Sequence, residues 1–112
     1  MVDDDSAVRE VVAESLMISG YDVLTANDGN EALVMLGQHP ELSLVVSDIR
    51  MPGLSGVDLA ERAGALRSGI GFILMSGYFV AEKLKCRLLK KPFTIRQLQA
   101  AVEAEFLAAH HR

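Results

Sequence analysis

The sequence predicts an α/β fold, a three-layer sandwich with helices on both faces of a parallel sheet. Three observations predict it. Strand-like and helix-like segments alternate five times along 112 residues, which implies parallel strands joined by right-handed crossovers. The runs Leu42–Ser47 and Gly71–Ser76 are largely apolar instead of alternating, as strands buried on both faces are. Acids and hydroxyls stand at the carboxyl ends of these runs, at the rim where such sheets receive ligands.

The elements follow in order. Met1-Val2 leads at once into Asp3-Asp4-Asp5, so the first strand is very short. Val8, Val11, Val12, Ser15 and Leu16 recur at helical spacing and predict a first helix from about Ser6 to Ser19. Asp5 or Ser6 caps its start and Gly20 stops it. Tyr21–Ala26 reads as the second strand, Asn27-Asp28-Gly29 as a turn, and Asn30 to Gln38 as the second helix, with Ala32, Leu33 and Leu36 inward. Pro40 ends that helix, and Leu42–Ser47 forms the third strand. A third helix covers Val57 to Leu66, capped by Ser55 or Gly56, and Gly71–Ser76 is the fourth strand. Gly77 to Arg87 is short and ambiguous, and Leu88–Lys90 is a brief fifth strand. Thr94-Ile95-Arg96-Gln97 is a capping box in which Thr94 caps and Gln97 reaches back. It opens a last helix with Ile95, Leu98, Val102 and Phe106 on one face.

Bulk composition narrows the function. The length and the half-hydrophobic composition suit one domain over residues 1–112 with a proper core. Acids outnumber bases 15 to 11, for a net charge of −4. No basic stripe stands out beyond Lys83, Lys85, Arg87, Lys90 and Lys91, so direct nucleic-acid binding is not expected. The single cysteine, Cys86, cannot form an internal disulfide, which fits a cytoplasmic location. No apolar run reaches the length of a membrane span, and no signal peptide opens the chain.

The chemistry lies at the strand ends. In a doubly wound sheet all parallel strands end on one rim. Asp3 and Asp4 end the first strand, Asp48 the third and Ser76 the fourth, and Lys91 follows the fifth. Each residue alone also fits a cap, a turn or a solvated surface; the ordered set does not. Clustered carboxylates repel and need a cation, and an all-oxygen ligand set suits Mg²⁺. A hydroxyl and an ammonium suit phosphate oxygens. An Asp beside a metal can act as a nucleophile toward phosphorus.

The chain resembles the receiver domain of two-component response regulators over essentially its whole length. The matching motifs are Val2-Asp3-Asp4-Asp5-Ser6, Ser47-Asp48-Ile49-Arg50-Met51-Pro52-Gly53-Leu54-Ser55-Gly56, Met75-Ser76-Gly77-Tyr78 and Lys91-Pro92-Phe93. The resemblance implies a flavodoxin-like (βα)5 fold with strand order 2-1-3-4-5, an order that general accounts of doubly wound sheets illustrate with a member of this same family. It implies that Asp48 is the phosphoacceptor, that Asp4, Asp48 and the Arg50 backbone carbonyl hold Mg²⁺, and that Asp3 contacts it through water. Ser76 would bond one phosphoryl oxygen and Lys91 another. It also implies a cis Lys91–Pro92 bond.

Three departures from the family pattern stand out. The family's switch aromatic on the fifth strand falls on Leu88, which has no polar tip; Leu88 fills the same pocket or Tyr78 shares the role. From Ser76 to Lys91 there are 91 − 76 = 15 steps, about two helical turns fewer than the family leads one to expect, so the fourth helix is short. The first strand is clipped. The Ser-Gly-Tyr segment and the ending just after the last helix resemble receivers attached to hybrid histidine kinases.

The function expected is that of a phosphorelay switch, not an enzyme beyond its own phosphoryl transfer and dephosphorylation. The implied partner is a histidine kinase or a histidine phosphotransfer protein, with no membrane insertion by this domain and with self-association into a homodimer left open. A Mg²⁺-dependent phosphatase is the first rival. It needs a general acid two residues after its nucleophile, where Arg50 stands and cannot donate a proton. A degenerate receiver acting only in docking is the second. A flavin module is the third, and it lacks a Ser/Thr-rich phosphate loop after the first strand.

Overall fold

The computed structural model describes residues 1–77 and 86–110. The short fourth helix expected between Gly77 and Arg87, and Tyr78 with it, lie outside the described residues. In chain order the elements are α1 (Ser6–Ile18), α2 (Gly29–Gln38), β1 (Leu44–Asp48), α3 (Gly56–Leu66), β2 (Gly71–Ser76), β3 (Arg87–Lys90) and α4 (Ile95–His110).

The three strands form a parallel sheet in the order β1-β2-β3. Asp48 lies in register with Met75, and Ser76 with Lys90. Val2 extends the sheet through parallel bridges to Ser47 on one side and Ala26 on the other. The spatial sequence is therefore Ala26, Val2, β1, β2, β3, which is the expected 2-1-3-4-5 order. Its first two members are reduced to single bridges.

That reduction corrects one expectation. Tyr21–Ala26 is not a full strand, and only Ala26 is bridged. A strand needs a neighbouring backbone along its length, and here Met1 and Asp3 reach only Leu24 and Ala26, with backbone bonds of 2.9–3.3 Å. The expectation of a clipped first strand holds.

The layers follow from the pleat. Successive residues of a strand face opposite sides, and β2 is buried at all six positions. Val45, Phe72 and Leu74 pack with Ala32 and Leu36 of α2 and Leu59 and Ala63 of α3. Val46, Ile73 and Met75 pack on the other face with Val12 and Leu16 of α1 and Leu98, Ala101 and Val102 of α4. Two expected core positions point outward instead. Val11 is 63% exposed and Ile95 58%, because the helix stripes that meet the sheet run through Val12–Leu16 and Leu98–Val102, and these two side chains lie off them.

The structure selects among the start signals: Asp5 over Ser6 for α1 and Ser55 over Gly56 for α3, and it makes Asp28, expected only in a turn, a cap as well. Asp5 caps α1 by accepting from the amides of Ala7 and Val8, Asp28 caps α2 and Ser55 caps α3. The Thr94 hydroxyl accepts the Gln97 amide at 3.1 Å, and Gln97 accepts the Thr94 amide at 2.8 Å.

Candidate functional site

The site forms where the sheet's carboxyl edge meets three turns. Val2 inserts between Ala26 and Ser47 and delivers Asp3 and Asp4 to the rim. Strand β1 ends on Asp48 beside them. The turn after β3 brings Lys91, whose backbone amide donates to the Ser76 carbonyl at 2.7 Å. The Lys91–Pro92 bond is cis, as the resemblance implied.

Asp3, Asp4 and Asp48 each present a carboxylate oxygen within 4.8 Å of the others. Their exposure is graded. Asp3 is buried, Asp48 half-buried and Asp4 open to solvent. The Lys91 ammonium lies 3.6 Å from Asp48 Oδ2 and 3.8 Å from Asp3 Oδ2. Asp3 Oδ1 accepts the Asp5 amide at 2.9 Å, while its buried Oδ2 has no hydrogen-bond partner among the described residues. Burial pushes the Asp3 carboxyl above its ordinary range. The Asp5 amide opposes that shift, the Asp48 charge adds to it, and Lys91 counters it.

This geometry fits a divalent cation. An orphaned, buried carboxylate oxygen is costly unless a positive charge answers it. Three carboxylates in reach of one another supply the hard oxygen donors that Mg²⁺ takes. Asp4 and Arg50 line one shallow cleft with Ile49, Met51, Pro52 and Ser55, so Arg50 shares a cleft with one of the three acids. Ser76 is fully buried one residue beyond Met75, the register partner of Asp48. The structure thus brings Asp3, Asp4, Asp48 and Lys91 into direct proximity, with Ser76 and Arg50 flanking them.

Comparison with known proteins gives the family. Residues 1–103 match the model of the response regulator receiver domain. The chain belongs to that family. The receiver protein CpdR of Brucella abortus is 30% identical over 97% of this chain and 96% of its own length. The response regulator MprA of Mycobacterium leprae is 33% identical over 92% of the chain and 48% of its own length. The chain spans about half the length of this and other curated relatives it matches. Among solved structures, the receiver domain of the hybrid histidine kinase CckA is 34% identical with a TM-score of 0.82, over 93% of this chain and 94% of that one. The Vibrio cholerae chemotaxis protein CheY4 superposes with a TM-score of 0.83 at 26% identity, over 92% of each chain. Receiver domains are signalling domains whose family function is to accept a phosphoryl group.

Three residues support the site through contacts that the motifs did not assign to them. Ser47 donates its hydroxyl to the Asp48 carbonyl at 2.9 Å. Gly56 closes the loop after β1 by donating its amide to Ile49, and a Cβ there would stand 2.3 Å from the Asp48 carbonyl oxygen. Arg9 donates from Nη1 to the Asp3 carbonyl at 2.8 Å. The available signal for Arg9 is its place on the second turn of α1, since helix side chains lean toward the N-terminus.

Proposed function

We propose that Asp48 is the phosphoacceptor of this receiver domain and takes its phosphoryl group from the phosphohistidine of a histidine kinase or histidine phosphotransfer protein. The observation that carries this reading is the Lys91 ammonium set between the Asp48 and Asp3 carboxylates. An Asp48 oxygen attacks phosphorus, the donor's phosphorus–nitrogen bond breaks, and the imidazole leaves with that electron pair. An acyl phosphate on Asp48 results.

The chain's residues contribute position and charge more than acid–base chemistry. Lys91 pairs with one phosphoryl oxygen. Ser76 donates its hydroxyl to another after turning out of its covered position. Asp4, Asp48 and the Arg50 carbonyl are proposed to hold Mg²⁺ directly, and Asp3 through water; the cation, when bound, neutralises charge on the acids and the incoming phosphoryl oxygens.

The phosphoryl group adds a charge of about −1.5 to −2. Its contacts with Lys91 and Ser76 bias one of two conformations, and a full shift needs about 5.5 kcal/mol of differential interaction. The receiver unit is proposed to span residues 1–112. It works as a switch with no turnover of other substrates, and cytoplasmic placement follows from its partner. Among the described residues, no helix is long and apolar enough to cross a membrane.

The test is incubation with a small acyl phosphate and Mg²⁺, read by intact mass. One added phosphoryl on the native chain and none on Asp48→Ala is expected. Equal labelling of the two overturns the assignment.

A further inference from the structure

We infer that Arg9 is a positioning residue for the acidic site, holding the Asp3–Asp4 peptide in place through the Asp3 main-chain carbonyl. The inference rests on the reading of Asp3, Asp4 and Asp48 as a cation site.

The need for such a tie comes from the first strand. Two of the three acids come directly after Val2, the residue whose bridges hold this segment in the sheet. The next backbone bond, from the Asp3 amide to the Ala26 carbonyl, is long at 3.3 Å. Beyond it the chain leaves the sheet, so sheet pairing alone holds the Asp3–Asp4 peptide weakly.

Helix α1 provides the missing anchor. Its first turn is closed by the bond from the Arg9 amide to the Asp5 carbonyl, at 2.9 Å. From there the Arg9 side chain reaches back over the turn to the Asp3 carbonyl at 2.8 Å. Asp3 Oδ1 in turn accepts the Asp5 amide. Backbone and side chain of Asp3 are thus both tied to the start of the helix. A bond from a guanidinium to a carbonyl is charge-assisted and stronger than a neutral one.

Among the described residues, Arg9 forms no ion pair with a carboxylate. Its grip is on the backbone. The two things Arg9 brings therefore act in opposite directions on a cation. Its charge repels one, and its tie organises the ligands that receive one. Partners that orient metal ligands in this way typically change affinity about 10- to 100-fold when removed, and we place the tie above the repulsion.

The experiment measures Mn²⁺ affinity of the unphosphorylated full chain by titration calorimetry, for the native protein, Arg9→Met, Arg9→Gln, Arg9→Lys and Asp4→Asn. Met cannot donate and Gln is too short to reach the carbonyl, so both are expected to weaken Mn²⁺ binding about tenfold. Lys keeps a donor and the charge and is expected to stay within about threefold of native. Unchanged or tighter binding by Met and Gln overturns the inference, as does a fall in metal-free melting temperature with no change in affinity. Indifference of Mn²⁺ binding to Asp4→Asn defeats the cation-site reading itself, and the inference falls with it. Asp4→Asn weakened beside unchanged Arg9 variants defeats the inference alone.

Discussion

The Asp3 carboxylate and the Lys91 ammonium face one another across 3.8 Å, although they stand near opposite ends of the sequence. The Asp3 oxygen involved is buried and, among the described residues, accepts no hydrogen bond, so the Lys91 charge is what answers it there. The same ammonium lies 3.6 Å from Asp48. One lysine therefore holds two acids of the cluster together, and its loss affects each differently from the loss of an acid.

Replacing Lys91 with Met removes that charge and keeps the aliphatic stem. Both contacts are longer than a hydrogen bond and Lys91 keeps contact with water, so the expected loss of metal-free stability is modest, about 1 kcal/mol. Divalent cation binding is expected to tighten, because a positive charge leaves the site. Urea unfolding and calorimetric Mn²⁺ titration check the two parts. Weaker cation binding would contradict the picture.

Asp3 makes the protein's stability depend on pH in a defined direction. Burial raises its carboxyl above the ordinary range, so the folded state holds the proton more tightly than the unfolded chain. Its contribution is full below the unfolded value of about 3.9 and is lost as pH rises through the raised folded value. Once ionised, the side chain is therefore a net cost to the fold. Asp3→Asn keeps an oxygen for the Asp5 amide and is expected to stabilise the metal-free protein at pH 7 by about 1 kcal/mol, or about 4 °C. That advantage should vanish below pH ~4. Thermal melts across pH test it, and a destabilised variant at pH 7 refutes it.

Gly56 sets how closely the loop after β1 lies on Asp48. A Cβ 2.3 Å from the Asp48 carbonyl oxygen cannot be accommodated, and the obstacle is backbone that cannot rotate aside. Gly56→Ala is expected to lower stability by about 2–3 kcal/mol and to slow acyl-phosphate labelling of Asp48. Denaturant midpoints and the labelling rate measure both. A neutral substitution would show that the loop has slack.

The bonds of the Thr94–Gln97 capping box run between those two residues and not to the acids, so it serves as the contrasting case. Thr94→Ala removes the acceptor for the Gln97 amide and is expected to cost about 1 kcal/mol. Acyl-phosphate labelling and Mn²⁺ affinity should stay at native levels. A loss of either would show that the start of α4 is coupled to the site.

Divalent cation should stabilise the native chain by simple linkage. At ten times the dissociation constant the gain is about 1.4 kcal/mol. Asp4→Asn should lose most of this gain, while its metal-free melting temperature barely moves, because Asp4 is exposed. Melting curves with and without millimolar Mg²⁺ decide it.

The sequence by itself determined the helices α1 to α4, the capping box at Thr94, and the two strands β1 and β2. Each depends on a pattern a few residues long. It also determined which polar residues gather at the rim, because in a parallel sheet every strand ends on the same side. Only the tertiary structure decided what depends on distant partners. Tyr21–Ala26 carries strand-forming residues, but a strand is completed only by a neighbour's backbone, and of this segment Ala26 alone is bridged, to Val2. Val11 and Ile95 fit helical periodicity, yet the sheet meets other stripes of their helices. The burial of Asp3, the reach of Arg9 to its carbonyl and the clearance at Gly56 arise where separate segments pack, and no spacing within one segment records them.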